Sequence, residues 1–198
     1  MSTLPFAPLP DEQLWHLPSR GRVAMLALIV GESAIFTIFV VAYIFYIGKN
    51  VNGPTPRQVL EIPAFNTVCL LSSSLTIWLA ERSIAKNRIL VFSLCWIATI
   101  ALGITFIAGT AREWHRLIYD YGLTLQSSLF GTTFYSLVGL HATHVVVGLL
   151  MLLIVLAFTL TGHVRGQHAE RIQVLALYWH FVDAVWVVVF TVVYIVGR

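Results

Sequence analysis

Apolar residues run almost unbroken through five stretches of this chain, at about 22–47, 62–80, 89–109, 128–160 and 171–196. A membrane core about 30 Å thick needs roughly 20 helical residues at 1.5 Å each, so every stretch is close to or beyond a spanning length. The runs are continuous, unlike the alternating segments of about ten residues that build a membrane barrel. The pattern predicts an all-α polytopic membrane protein, a bundle of five transmembrane helices. Transmembrane helices pack into one bundle, so residues 20–198 form a single domain.

The segments between the stretches read as loops. Residues 1–19 are a Pro-rich, mostly irregular tail on the membrane surface, with Trp15 as an interfacial anchor. The tail carries Asp11 and Glu12 and lacks a basic start, so it is no signal peptide. Residues 48–61 form a loop broken by Gly53, Pro54 and Pro56, and Pro63 fits the first turn of the second span. Residues 81–88 form a short charged loop, residues 110–126 a polar one and residues 162–170 a third. The fourth span, at about 33 residues, reaches about 50 Å and must tilt or protrude.

Composition agrees with the pattern. Hydrophobic residues make up 58% of the chain and charged residues 11%, and the mean hydropathy is +0.84. A soluble domain has about 25% charged residues. The net charge of +3 is scattered over short loops, so no nucleic-acid partner is implied. Cys69 and Cys95 lie in apolar stretches and read as buried, inert thiols.

Five spans put the termini on opposite sides. With the N-terminus inside, Arg20, Arg22, Arg82, Lys86, Arg88, Arg165 and Arg171 face inward. Lys49, Arg57, Arg112, Arg116 and Arg198 face outward, so seven basic residues inside stand against five outside. That bias favours an N-in, C-out orientation. No internal repeat appears, which counts against a transporter built from inverted repeats.

The chemistry lies where polar residues interrupt the apolar runs. Glu32 sits ten residues into the first span, about 15 Å deep. His141 and His144 are three apart and share a helix face, and Gly148 continues that stripe and admits a close neighbour. His180 and Asp183 share a face of the last helix in the same way. A short loop joins these two helices, so they are expected to be antiparallel neighbours. Trp179, Trp186 and Phe190 form an aromatic stripe that reads as packing.

Three readings compete for these residues. They can hydrogen-bond one another and fix helix packing. They can hold haem between two helices, His141 or His144 opposite His180. They can relay protons together with Glu32 and Asp183. For Glu32, the plain reading is a neutral carboxyl group hydrogen-bonded to a neighbouring helix. A proton site and a subunit contact are the alternatives. No nucleotide loop, hydrolytic triad or zinc motif appears.

Several motifs recur in a fixed order. Phe134, Tyr135, Gly139, His141, His144, Val145 and Gly148 form one. Trp179, His180, Phe181, Asp183, Val185 and Trp186 form a second. Glu32, Ser33 and Phe36 lie in the first span, and Leu102, Gly103, Phe106, Glu113 and Trp114 in and after the third. From about Arg20 to Gly197 the chain resembles subunit III of haem-copper terminal oxidases, in the five-helix form of bacterial cytochrome c and bo-type quinol oxidases. It departs from that family's pattern at Thr110, where a glutamine is common. It also departs from the seven-helix form, whose first two helices make one wall of a lipid-filled cleft.

The resemblance implies a non-redox accessory subunit of a proton-pumping oxidase that reduces oxygen to water in aerobic respiration. It implies no cofactor or metal in this chain, haem and copper in partner subunits, and ordered phospholipid. Subunit I is the implied main contact, with subunit II, a small subunit IV and a respiratory supercomplex as further partners. The implied location is the bacterial plasma (inner) membrane, with the N-terminus cytoplasmic and the C-terminus periplasmic or outside. Glu32, His141, His144, His180, Asp183 and Trp186 become residues for lipid contact, packing or proton support, with no catalytic residue. The rival readings are a subunit III-like part of a nitric oxide reductase and a stand-alone haem-binding or proton-coupled membrane protein.

Overall fold

The computed structural model describes residues 19–49, 56–164 and 166–197, apart from the side chains of 57 and 58. The tail with Trp15, the Gly53 and Pro54 breakers, and Arg165 and Arg198 lie outside the described residues, as does the Arg57 side chain.

Helices α1 (Arg20–Tyr46), α3 (Ala64–Ala85), α4 (Ile89–Tyr119), α5 (Leu129–Leu160) and α6 (Ala169–Phe190) carry the five spans. A single turn, α2 (Pro56–Val59), interrupts the first loop. A 3-10 turn at Gly166–His168 leads into α6, and a wide π turn at Thr191–Val196 ends it. No strand occurs among the described residues.

Two expected boundaries were too short. The second helix runs on to Ala85 and the third to Tyr119, so most of the two expected loops is helical. Charged residues end an apolar run, but they do not end a helix. The stops are conformational. Asn87 adopts φ 58° and Arg88 N–H reaches back to the Ser83 carbonyl at 2.9 Å. Gly122 adopts φ 64° and Leu123 N–H reaches the Leu117 carbonyl at 2.9 Å. Both are left-handed helix terminations, which Gly and Asn adopt at least cost. Starts are more regular, with Ser19 capping α1 and Ser128 capping α5 through their hydroxyls.

Helices α3, α4, α5 and α6 form a ring of neighbours, and α1 lies outside it against α5 and α6. Helices α5 and α6 are antiparallel, as expected: His141 stacks on Trp186 while Gly148 meets Trp179. Trp179 fills the middle of the ring. A Cβ on Gly103 of α4 or Gly148 of α5 would come within 2.9 Å of its indole. Those two missing side chains let three helices close around one ring system.

Candidate functional site

The polar residues of the spans fall into separate clusters. Each joins two or three helices.

The first cluster ties α6 to α3. The Trp179 indole N–H donates to the Ser73 hydroxyl at 2.8 Å. Ser74 donates its hydroxyl proton to Oδ2 of Asp183, and its oxygen lies 3.2 Å from Nδ1 of His180. A serine has one proton and two lone pairs, so a Ser74 that donates to Asp183 accepts from His180. We therefore assign the His180 proton to Nδ1. Asp183 is buried, and its Oδ1 has no protein partner. One turn further, the Trp186 indole donates to Thr67 Oγ1 at 3.2 Å. The three-residue spacing of His180 and Asp183 puts both beside one serine. His180 also lines a cleft with Arg22, Glu81, Glu170 and Gln173, where α1 and α6 begin and α3 ends.

The second cluster ties α1 to α5. Nε2 of His144 lies 3.1 Å from Oε2 of Glu32. Its Nδ1 lies 2.8 Å from the Leu140 carbonyl, which can only accept, so Nδ1 carries a proton. Nε2 meets Glu32 either as imidazolium with carboxylate or as acceptor from a carboxylic acid. In both cases one proton bridges the helices. The Phe36 ring packs on the same imidazole at 5.0 Å between centroids.

His141 shares a face with His144 but not its surroundings. It is fully buried, and neither ring nitrogen has a hydrogen-bond partner. Trp186 stacks on it at 5.0 Å, and Phe106 and Phe36 present to it at 5.8 and 6.5 Å. His144 thus turns to α1 and His180 to α3, while His141 is closed in by aromatic rings. The two helices do not present a facing pair of imidazoles, the geometry that a haem held between two histidines needs. Among the described residues no group of three or more His, Cys, Asp or Glu is arranged to hold a metal ion. Cys69 and Cys95 are free thiols, the first buried and the second partly so.

A third cluster was not among the expected site residues. Glu113 on α4 accepts from the buried Tyr194 hydroxyl, at 3.1 Å to each carboxylate oxygen. Tyr194 lies on the wide turn that ends α6. The sequence placed Glu113 in a loop, because α4 was expected to stop at Gly109. The missed signal was the absence of any Gly or Pro between Thr110 and Asp120. Thr110 bonds back to the Phe106 carbonyl of its own helix, at 3.1 Å.

Comparison with known proteins adds to this geometry. The family model described as "Cytochrome c oxidase subunit III" matches residues 22–198. The chain is similar to the cytochrome c oxidase subunit 3 of Alkalihalophilus pseudofirmus, 36% identical over 84% of this chain and 82% of that protein. It is similar to the cytochrome c oxidase subunit 3 of Thermostichus vulcanus, at 30% over 91% and 90%. It is also similar to the cytochrome bo(3) ubiquinol oxidase subunit 3 of Pseudomonas aeruginosa, at 35% over 84% and 80%.

Proposed function

Since the chain belongs to the cytochrome c oxidase subunit III family, we propose that it is the accessory third subunit of a haem-copper terminal oxidase. The observation that carries this is the family match across all five spans, shared with relatives from both cytochrome c and quinol oxidases. Oxygen is reduced on haem and copper in partner subunits, and this chain stabilises subunit I. Subunit II, and in some assemblies a small subunit IV or a supercomplex, complete the surroundings. The chain resides in a bacterial inner membrane with its N-terminus cytoplasmic.

The geometry supports packing as the first role of the polar set. Ser74, His180 and Asp183 clamp α3 to α6, and Glu32 with His144 clamps α1 to α5. In lipid, helices gain little from apolar contact with one another, so such clamps set which helices pair. His180 stands between the clamp and the cleft beside Arg22, Glu81 and Glu170. Proton support enters there. An apolar trough between α1 and α6, floored by Phe36, Val40, Phe181 and Val185, suits a lipid acyl chain.

The test is a mild-detergent pull-down of the tagged chain from its native membrane, with a reduced-minus-oxidised haem spectrum and an oxygen-uptake assay on the eluate. Haem and oxygen uptake in the eluate, but no haem in the separately purified chain, support the reading. Nitric oxide reduction without oxygen uptake moves it to the reductase. A Soret band in the isolated chain replaces it with a haem protein. A colourless chain eluting alone removes it.

A further inference from the structure

The end of the bundle where α3 begins and α4 ends holds a cleft lined by Glu61, Pro63, Asn66, Arg112, Glu113 and Arg116. Its hydrogen-bond donors are left over by the fold. Arg112 is exposed and has no hydrogen bond or ion pair among the described residues. The Asn66 carboxamide also has none, although it is held in place: it occupies the space where a side chain on Gly109 would stand. Nε of Arg116 is buried without a partner, while its Nη1 pairs with Glu61 at 2.6 Å. The acidic groups are accounted for. Glu61 is held by Arg116, and Glu113 turns inward to Tyr194.

An excess of donors facing one space fits an oxygen-rich anion, and guanidinium groups suit phosphate in particular. Depth says which phosphate. From Ile89 to Arg112 is 23 residues, about 35 Å of helix against a hydrocarbon core of about 30 Å. Arg112 and Arg116 therefore stand at headgroup level, as do the exposed rings of His115 and Tyr119, which tilt against one another at 4.4 Å between centroids. Beside Asn66, α3 exposes Phe65 at 72% and, about 4.5 Å deeper toward the membrane centre, Val68 at 63%, an open bed for an acyl chain. The α3 N-terminus beside the cleft also lacks a side-chain cap.

We propose that this cleft binds the phosphate of a membrane phospholipid through Arg112, Asn66 and Arg116, with an acyl chain along Phe65 and Val68. The site lies at the opposite end of the bundle from the cleft at His180. It deepens the lipid part of the reading above and rests on it only for the membrane setting.

The test is native mass spectrometry of the full chain released from detergent in the presence of palmitoyl-oleoyl phosphatidylglycerol. Wild type, R112A and N66A/R112A are compared, with helicity checked by circular dichroism. Loss of charge-assisted hydrogen bonds predicts roughly tenfold less retained lipid in the double variant, and an intermediate loss in R112A. R22A, at the other end, should retain lipid as wild type does. Equal retention by wild type and R112A overturns the proposal. So does equal retention of palmitoyl-oleoyl glycerol, which lacks the phosphate. Inorganic phosphate that displaces the lipid at micromolar concentration would reassign the site to a soluble anion. If N66A/R112A does not fold, R112A alone decides, because the exposed Arg112 side chain makes no polar contact among the described residues. Haem co-elution of the variants, measured in parallel, separates failure of this site from failure of the subunit reading.

Discussion

Helices α1 and α6 are neighbours of similar length, yet the protein holds them in opposite ways. Half of the most apolar stretch of the last span is buried, against 6% for α1, although α1 is the more apolar of the two. In water that order would be a contradiction. In lipid it is expected, because an apolar side chain gains little by leaving lipid for another helix. What separates them is polar and small-residue chemistry. Helix α6 bonds to α3 through Trp179, His180, Asp183 and Trp186, and it fits into gaps left by Gly103 and Gly148. Helix α1 buries Phe36 and Tyr43 and, among the described residues, makes one polar link to another helix, Glu32 to His144. Ser33 and Thr37 are satisfied at home, bonding back to the Ile29 and Ser33 carbonyls at 2.7 Å, and the buried Tyr43 hydroxyl has no partner among the described residues. The face of α1 with Val30, Ile38 and Val41 is left to lipid or a partner.

The comparison breaks most easily at the gap that seats Trp179. A side chain on Gly148 meets the rigid indole at 2.9 Å, where only backbone movement can relieve the clash. Gly148→Leu should cost roughly 3 kcal/mol and sharply lower the yield of folded chain. A midpoint in a denaturing-detergent titration equal to wild type would mean that α6 is not held by this fit.

The clamp itself comes next. Asp183→Leu removes the acceptor for Ser74 and leaves that hydroxyl beside His180 without its first partner. The expected loss is about 2 kcal/mol, near the upper end for polar contacts between membrane helices. It should appear as weaker assembly of the complex rather than slower turnover of complex that does assemble. Normal yield with collapsed oxygen uptake would assign Asp183 to chemistry instead of packing.

Tyr194→Phe probes the other end of α6. It removes the hydroxyl that donates to both oxygens of Glu113 and should cost about 1 kcal/mol. The same denaturing titration reads it, with Tyr119→Phe on the exposed surface as the control. An effect no larger than that control would mean that Glu113 finds another donor.

These clusters also show what the chain disclosed before it was seen folded. The apolar cores of the spans were legible, because lipid imposes one length and one hydropathy on all of them. The ends of α3 and α4 were not, because Glu81, Arg82, Glu113 and Arg116 interrupt the apolar run while remaining good helix residues. Equal spacing gave equal expectations for two pairs that behave differently. His180 and Asp183 converge on Ser74, whereas His141 and His144 diverge. Residues three apart are about 60° apart around a helix. On α5 that angle is enough to turn one imidazole into the ring of helices and the other toward α1, and only the position of α1 decides it.

The smallest effect is expected at the single polar link of α1. Glu32→Gln keeps the size and an acceptor oxygen, so His144 retains a hydrogen bond whichever partner donates. The loss should stay under about 0.6 kcal/mol, the average for polar contacts between membrane helices. If subunit III carries no redox centre, the haem spectrum of the assembled oxidase should be unchanged in position and amplitude. A spectral shift would place Glu32 within reach of a redox centre and overturn the view of α1 as a lightly tethered helix. Glu32→Leu sharpens the same point. It leaves Nε2 of His144 without a partner in lipid, so it should exceed Glu32→Gln in the denaturing titration and still fall short of Asp183→Leu. A reversal of that order would mean that α1, with few of its residues buried, is held by its polar link more firmly than α6 is by the whole of its buried face.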